Sequence, residues 1–117
     1  MGDDLKLVTK IENMVFVIRG QRVMMDSDLA RLYGVETKKF NQAVKRAVER
    51  FPSDFMFKCN SGELEDLRSQ FVTANPLMSW NYMRRTPPLL FTELGVAMLS
   101  SILNSKQAIT VNIEIMR

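Results

Sequence analysis

Histidine is absent from this chain, and cysteine occurs once, as Cys59. Without histidine there is no Ser-His or Cys-His nucleophile pair, no imidazole general base and no zinc site with an imidazole ligand. One thiol forms neither an intrachain disulfide nor a cysteine metal cluster. A lone reduced thiol fits a cytoplasmic location, which is the expectation here. Long apolar runs are also missing. Met14 to Ile18 and Leu94 to Leu103 are too short or too polar to cross a bilayer. The start, Met1-Gly2-Asp3-Asp4, lacks the basic segment and apolar core of a signal peptide. These absences leave few ways to be an enzyme, and no membrane partner, cofactor or small-molecule substrate is expected.

What is present is material for one core. The 117 residues are 46% hydrophobic and 25% charged, which suits a single globular domain without crosslinks. The net charge of +3 is unevenly spread. Residues 1–36 sum to −1 and residues 51–117 to zero. Residues 37–50 hold Lys38, Lys39, Lys45, Arg46 and Arg50 against Glu49 alone, a sum of +4. A basic stripe confined to one element is the electrostatic footprint of a polyanion binder.

Residues 1–10 are polar and expected to be a flexible N-terminus, with one domain over 11–117. Met14 to Ile18 and Val23 to Met25 are rich in β-formers, and Gly20 between them predicts a tight hairpin. Asp26 reads as a helix N-cap, with Leu29, Leu32 and Tyr33 at helical spacing and Gly34 as the stop. Thr37 reads as the next N-cap. Phe40, Ala43, Val44, Ala47 and Phe51 form an apolar stripe along a helix over 37–50, and Pro52 ends it. Two short helices across Gly34-Val35-Glu36 have helix-turn-helix proportions.

Phe55 to Cys59 reads as a short strand, with Cys59 an inert core thiol. Asn60 with Glu63 three residues on resembles a capping box for a helix running to about Phe71. Residues 72–88, with Trp80, Tyr82, Arg84, Arg85, Pro87 and Pro88, read as irregular. Leu89 to Phe91 suggests a brief strand. Thr92 caps a helix through Leu103, broken by Asn104-Ser105. The last segment is ambiguous. Ile109, Val111, Ile113 and Ile115 alternate as in a strand, while Ile109, Ile113 and Met116 also fit a helical stripe. The apolar pattern runs to the last residues, so the expectation is an N-terminal module of a longer protein.

From Ile18-Arg19-Gly20-Gln21-Arg22 through Asp26-Ser27-Asp28-Leu29-Ala30-Arg31-Leu32-Tyr33-Gly34 to Lys38, the chain resembles the opening of the ORF-six N-terminal domain family. That family is kin to the KilA-N and Bro-N domains of phages and large DNA viruses. The similarity continues through Asn41, Ala43 to Arg46, Glu49 to Pro52 and Asp54 to Phe57. It resumes at Leu67 to Gln70, Arg84-Arg85 with Pro88, Phe91 to Glu93, Gly95 to Ser101, Leu103 to Ser105 and Val111 to Ile113. Two places depart from the family pattern: Leu94 replaces a polar glutamine, and Ser79-Trp80-Asn81-Tyr82 replaces a glycine-rich approach to the arginine pair. The resemblance implies a DNA-binding module of an antirepressor-like regulator in a bacterial or phage-infected cell, and it favours helix for the last segment.

On that reading the second helix enters the major groove of double-stranded DNA. Lys38, Asn41, Gln42 and Lys45 lie at offsets 0, 3, 4 and 7, where amides can pair with adenine and lysines reach guanine acceptors. Lys39 and Arg46 flank them as phosphate contacts, and Thr37 sits at the helix N-terminus. Arg84 and Arg85 are candidates for a minor groove or backbone contact. Arg19 and Arg22 at the hairpin are weaker candidates, and Trp80 and Tyr82 could stack on bases. The plain alternatives are a solvated basic face and an exposed basic loop. A metal-dependent nuclease would draw on Asp26, Asp28 and Glu36-Thr37-Lys38, but the carboxylates, like Glu63, Glu65 and Asp66, suit helix N-termini. A protein-interaction module could use the nine methionines and the apolar last segment, and a homodimer is compatible with DNA binding. The expected fold is α+β: N-terminal β-hairpin, helix-turn-helix-like pair, short strands and C-terminal helices. The expected function is duplex DNA binding without catalysis.

Overall fold

The computed structural model describes residues 11–75, 87–103 and 106–116. The hairpin comes first: β1 (Phe16–Ile18) pairs antiparallel with β2 (Gln21–Met25), Val17 facing Arg22. The connection is two residues, Arg19 at φ 56° and Gly20 at φ 69°. Both lie in the left-handed region, the condition for a type I′ turn, whose twist matches that of the strands. Glycine takes that conformation freely; arginine does so only because the turn imposes it.

β2 runs without a loop into α1 (Asp26–Tyr33), which a turn joins to α2 (Thr37–Arg46). A 3₁₀ turn, Val48–Arg50, leads to Pro52 and β3 (Met56–Lys58). α3 (Ser61–Ala74), β4 (Leu89–Thr92), α4 (Glu93–Leu99) and α5 (Lys106–Met116) follow. The sheet order is β1-β2-β4-β3, all neighbours antiparallel, so β2 and β4 are the inner strands.

Helices cover both faces of this sheet, which explains why Val23-Met24-Met25 and Leu90-Phe91 are apolar without alternation. Phe16, Ile18, Val23, Met25, Phe57, Cys59 and Leu90 meet Leu67 and Phe71 of α3. On the opposite face Met24 and Phe91 meet Leu29, Leu32 and Tyr33 of α1, Phe40 and Val44 of α2, and residues of α4 and α5. Phe91 packs edge-on to Phe40 at 5.6 Å and to Phe51 at 5.8 Å. The α+β class and the hairpin are as expected.

Several boundaries differ. α1 is capped by the position of Met25, and Asp26 is its first helical residue, because β2 continues straight into the helix. Likewise Glu36, not Thr37, occupies the N-cap of α2, without a side-chain cap. The helix expected over 37–50 ends at Arg46, where Ala47 leaves helical geometry and a tighter turn carries the chain to Pro52. α3 extends past Phe71 to Ala74, and its Asn60–Glu63 capping box is present with both bonds, 2.8 and 2.9 Å. Thr92 caps α4 as expected, but this helix stops at Leu99 rather than Leu103. The last segment is helix, with Val111 and Asn112 buried and Ile109 and Ile113 exposed. Asn112 anchors it: its amide donates to the Val96 carbonyl at 2.8 Å and to the Tyr33 hydroxyl at 3.5 Å. Burial pushes the Tyr33 phenol well above its ordinary value. The flexible N-terminus expected over 1–10 and the break at Asn104-Ser105 lie outside the described residues.

Candidate nucleic-acid interface

The geometry of the basic helix starts at Gly34. At φ 72° this glycine turns the chain out of α1. Val35 N–H then bonds the Ala30 carbonyl at 3.0 Å and Gly34 N–H that of Arg31 at 3.2 Å. This is a Schellman closure, which fixes where the next helix begins. α2 is then anchored by its apolar stripe: Phe40 and Val44 are buried, and Phe40 stacks on Tyr33 at 6.4 Å with the rings 13° apart.

Burying that stripe forces the opposite side of α2 into solvent. Lys38, Lys39, Gln42, Lys45 and Arg46 are exposed and Thr37 is half-buried. Among the described residues, none of Lys38, Lys39, Lys45 and Arg46 takes part in an ion pair. Arginines elsewhere do. Arg19 pairs with Glu63 at 2.5 Å and covers the Phe57 ring at 4.0 Å; Arg22 pairs with Glu93 at 2.8 Å. Arg31 and Arg68 sit beside Asp28 and Glu65, each three residues back on its own helix. The segment that holds the excess positive charge thus leaves Lys38, Lys39, Lys45 and Arg46 outside any ion pair, more cations than any other described element leaves unpaired. Arg50, which the charge count grouped with them, donates to Ser101 Oγ at 3.2 Å and belongs to the junction with α4.

Asn41 departs from this outward face. Its amide nitrogen donates to Asp26 Oδ2 at 3.2 Å, and its Oδ1 is buried with no hydrogen-bond partner. Helical spacing alone could not reveal this, since Asp26 lies on the preceding helix. Arg84, Arg85, Trp80 and Tyr82 lie outside the described residues. Arg19 and Arg22 are engaged with carboxylates of α3 and α4. Asp26 and Asp28 are buried carboxylates facing protein donors, not an open cleft. Cys59 is buried in the core beneath α3.

A family model for the ORF6N domain matches residues 13–102, from just before β1 to just past α4. The chain belongs to the ORF6N domain family. Within this ORF6N chain the match takes in the hairpin, the helix pair and the four strands of the described residues. No curated protein and no solved structure matches the chain. Among the described residues, no helix is long and apolar enough to cross a membrane.

Proposed function

We propose that this ORF6N chain is a double-stranded DNA-binding module of a phage antirepressor-like transcriptional regulator, working in the cytoplasm of a bacterial or phage-infected cell. The observation that carries the proposal is the exposed, unpaired cationic face of α2, the second helix of a helix-turn-helix-like pair. Lys38, Gln42 and Lys45 are assigned to base edges, Lys39 and Arg46 to phosphates, and Thr37 to the phosphate nearest the helix N-terminus. Arg84 and Arg85 are assigned to a second contact in a groove or on the backbone. The module carries out no catalytic step, a view supported by the inward engagement of Asp26 and Asp28. Magnesium-dependent cleavage that disappears in Asp26→Ala would reverse it.

The test is selection from a pool of random duplexes, read at two salt concentrations. Enrichment of a common site that persists at the higher salt is expected. Lys38→Glu with Lys45→Glu should abolish binding, and undiminished binding by that double variant would sink the assignment of α2. One observation favours a second reading, a protein-interaction or dimerisation module without DNA affinity: Ile109, Ile113 and Met116 form an exposed apolar line on α5. Self-association with no DNA binding even at low salt would select it.

A further inference from the structure

Asp26 opens α1 directly after β2, where the sheet passes into the helix pair, and it is 2% exposed. A carboxylate at that depth requires donors. Its Oδ1 accepts from the Ser27 N–H at 2.7 Å. Its Oδ2 accepts from Asn41 of α2 at 3.2 Å and, by a longer bond of 3.4 Å, from the backbone N–H of Leu89. Leu89 is the first residue of β4, an inner strand. One oxygen thus joins the basic helix to the middle of the sheet. The join has a cost, because Asn41 Oδ1 is left buried and unpartnered. An apolar side chain at 41 would avoid that cost but could not reach Asp26 with a hydrogen bond.

We infer that Asp26 is a positioning residue for DNA recognition: through Asn41 it sets the rotation and height of α2 against β4, and so the direction in which Lys38, Gln42 and Lys45 meet a base pair. The inference rests on the DNA-binding reading above. Hydrogen bonds to base edges demand donor–acceptor geometry, whereas attraction to phosphates survives a small displacement of the charges. Loosening this strut therefore lowers specificity and leaves general affinity for DNA in place.

The full chain is compared with Asn41→Leu, with Asn41→Asp, and with Asn41→Asp combined with Asp26→Asn. Asn41→Asp sets carboxylate against carboxylate. Adding Asp26→Asn restores a carboxylate–amide pair between positions 26 and 41 in the reverse sense, at the loss of the Leu89 bond, because the amide nitrogen takes the place of the oxygen that accepts from Leu89. The probes are the duplex selected by the unmodified chain and a random duplex of equal length. In both single variants the affinity ratio between the two duplexes should fall about tenfold, the size of one lost base contact. In Asn41→Leu, which changes no charge, affinity for the random duplex and its salt dependence should hold. The exchanged pair, which keeps the net charge, should recover part of the ratio. Residual dipolar couplings of α2 amides in the DNA-free protein should shift in the single variants and return in part in the exchanged pair. Where Asn41→Asp fails to fold, Asn41→Leu and the exchanged pair decide. An unchanged ratio in the single variants, unchanged couplings, or an exchanged pair that recovers neither would overturn the inference. If the unmodified chain binds neither duplex while the couplings respond as stated, the DNA reading fails and Asp26 stands as the residue that orients α2.

Discussion

At the scale of single residues, two positions show what local chemistry fixes. A Cβ built on Gly95 would lie 2.0 Å from the Phe55 carbonyl oxygen. That oxygen cannot withdraw freely, because it accepts the Thr92 N–H at 3.0 Å and the Thr92 hydroxyl at 3.3 Å. Gly95→Ala should therefore destabilise the fold by about 3 kcal/mol, the upper part of the range for overpacking, as a lowered urea midpoint with unchanged slope. Glu63 takes both nitrogens of a fork from Arg19, at 2.5 and 3.0 Å, and the Asn60 N–H at 2.9 Å. The Arg19 guanidinium, and after it the Asn60 N–H, hold the Glu63 carboxyl below its usual value of 4.5. A carboxylate depressed in the folded state contributes stability above its ordinary value and loses it as pH falls through the depressed one. Glu63→Gln should accordingly be less stable than the unmodified chain at neutral pH. The two should converge as pH drops below about 4, which thermal melts across an acid series would show. The capping role of Asn60 and Glu63 was legible in the sequence because both partners sit within one helical turn. Asp26 and Thr37 have equally good cap chemistry but occupy the first helical positions, since where each helix begins is set by β2 and by the Gly34 closure.

At the scale of elements, β1 is an edge strand, and its outward backbone groups would invite a second strand. The Gln70 side chain of α3 takes that place. The Val17 N–H donates to its Oε1 at 2.7 Å, and its Nε2 donates to the Val17 carbonyl at 2.8 Å. Gln70→Ala should remove both bonds, lower stability by about 1 kcal/mol and raise concentration-dependent association, as sedimentation velocity would measure. Nothing in the sequence pattern pairs two residues 53 positions apart, so this function of Gln70 was not legible. The alternation of Ile109, Val111, Ile113 and Ile115 left helix and strand both open for a related reason. Period two is evidence for a strand only when one set is buried together, and here the apolar set is split: the helix buries Val111 beside the polar Asn112 and exposes Ile109 and Ile113. The hairpin and the helix pair were legible because their signals, Gly20, Gly34 and the Phe40–Val44 stripe, act within a few residues.

At the scale of the whole molecule, the central position of β4 is the least legible feature, because it joins Met25 to Leu90 and Phe57 to Leu90 across loops that no local signal spans. Its consequence is that the sheet core is apolar on both sides, so charge lies on the outer helices, the hairpin and the outer ends of the strands. Carboxylates meet the arginines on the hairpin, α1 and α3, and α2 alone keeps four cations outside any ion pair among the described residues. That distribution makes a quantitative prediction for the proposed DNA complex. Each phosphate neutralised on a duplex contributes roughly −0.9 to the slope of log affinity against log salt, so Lys39 and Arg46, the cations of α2 assigned to phosphates, together contribute a slope of about −1.8. Lys39→Ala, at an assigned phosphate contact, should reduce the magnitude by about 1 and weaken selected and random duplexes alike. Gln42→Ala should leave the slope unchanged and weaken only the selected duplex, because an amide releases no counterion. A slope near zero for the unmodified chain would mean that the exposed cations do not meet phosphate. Equal slopes for the unmodified chain and Lys39→Ala would remove Lys39 from the contact and leave Arg46 to be tested in the same way.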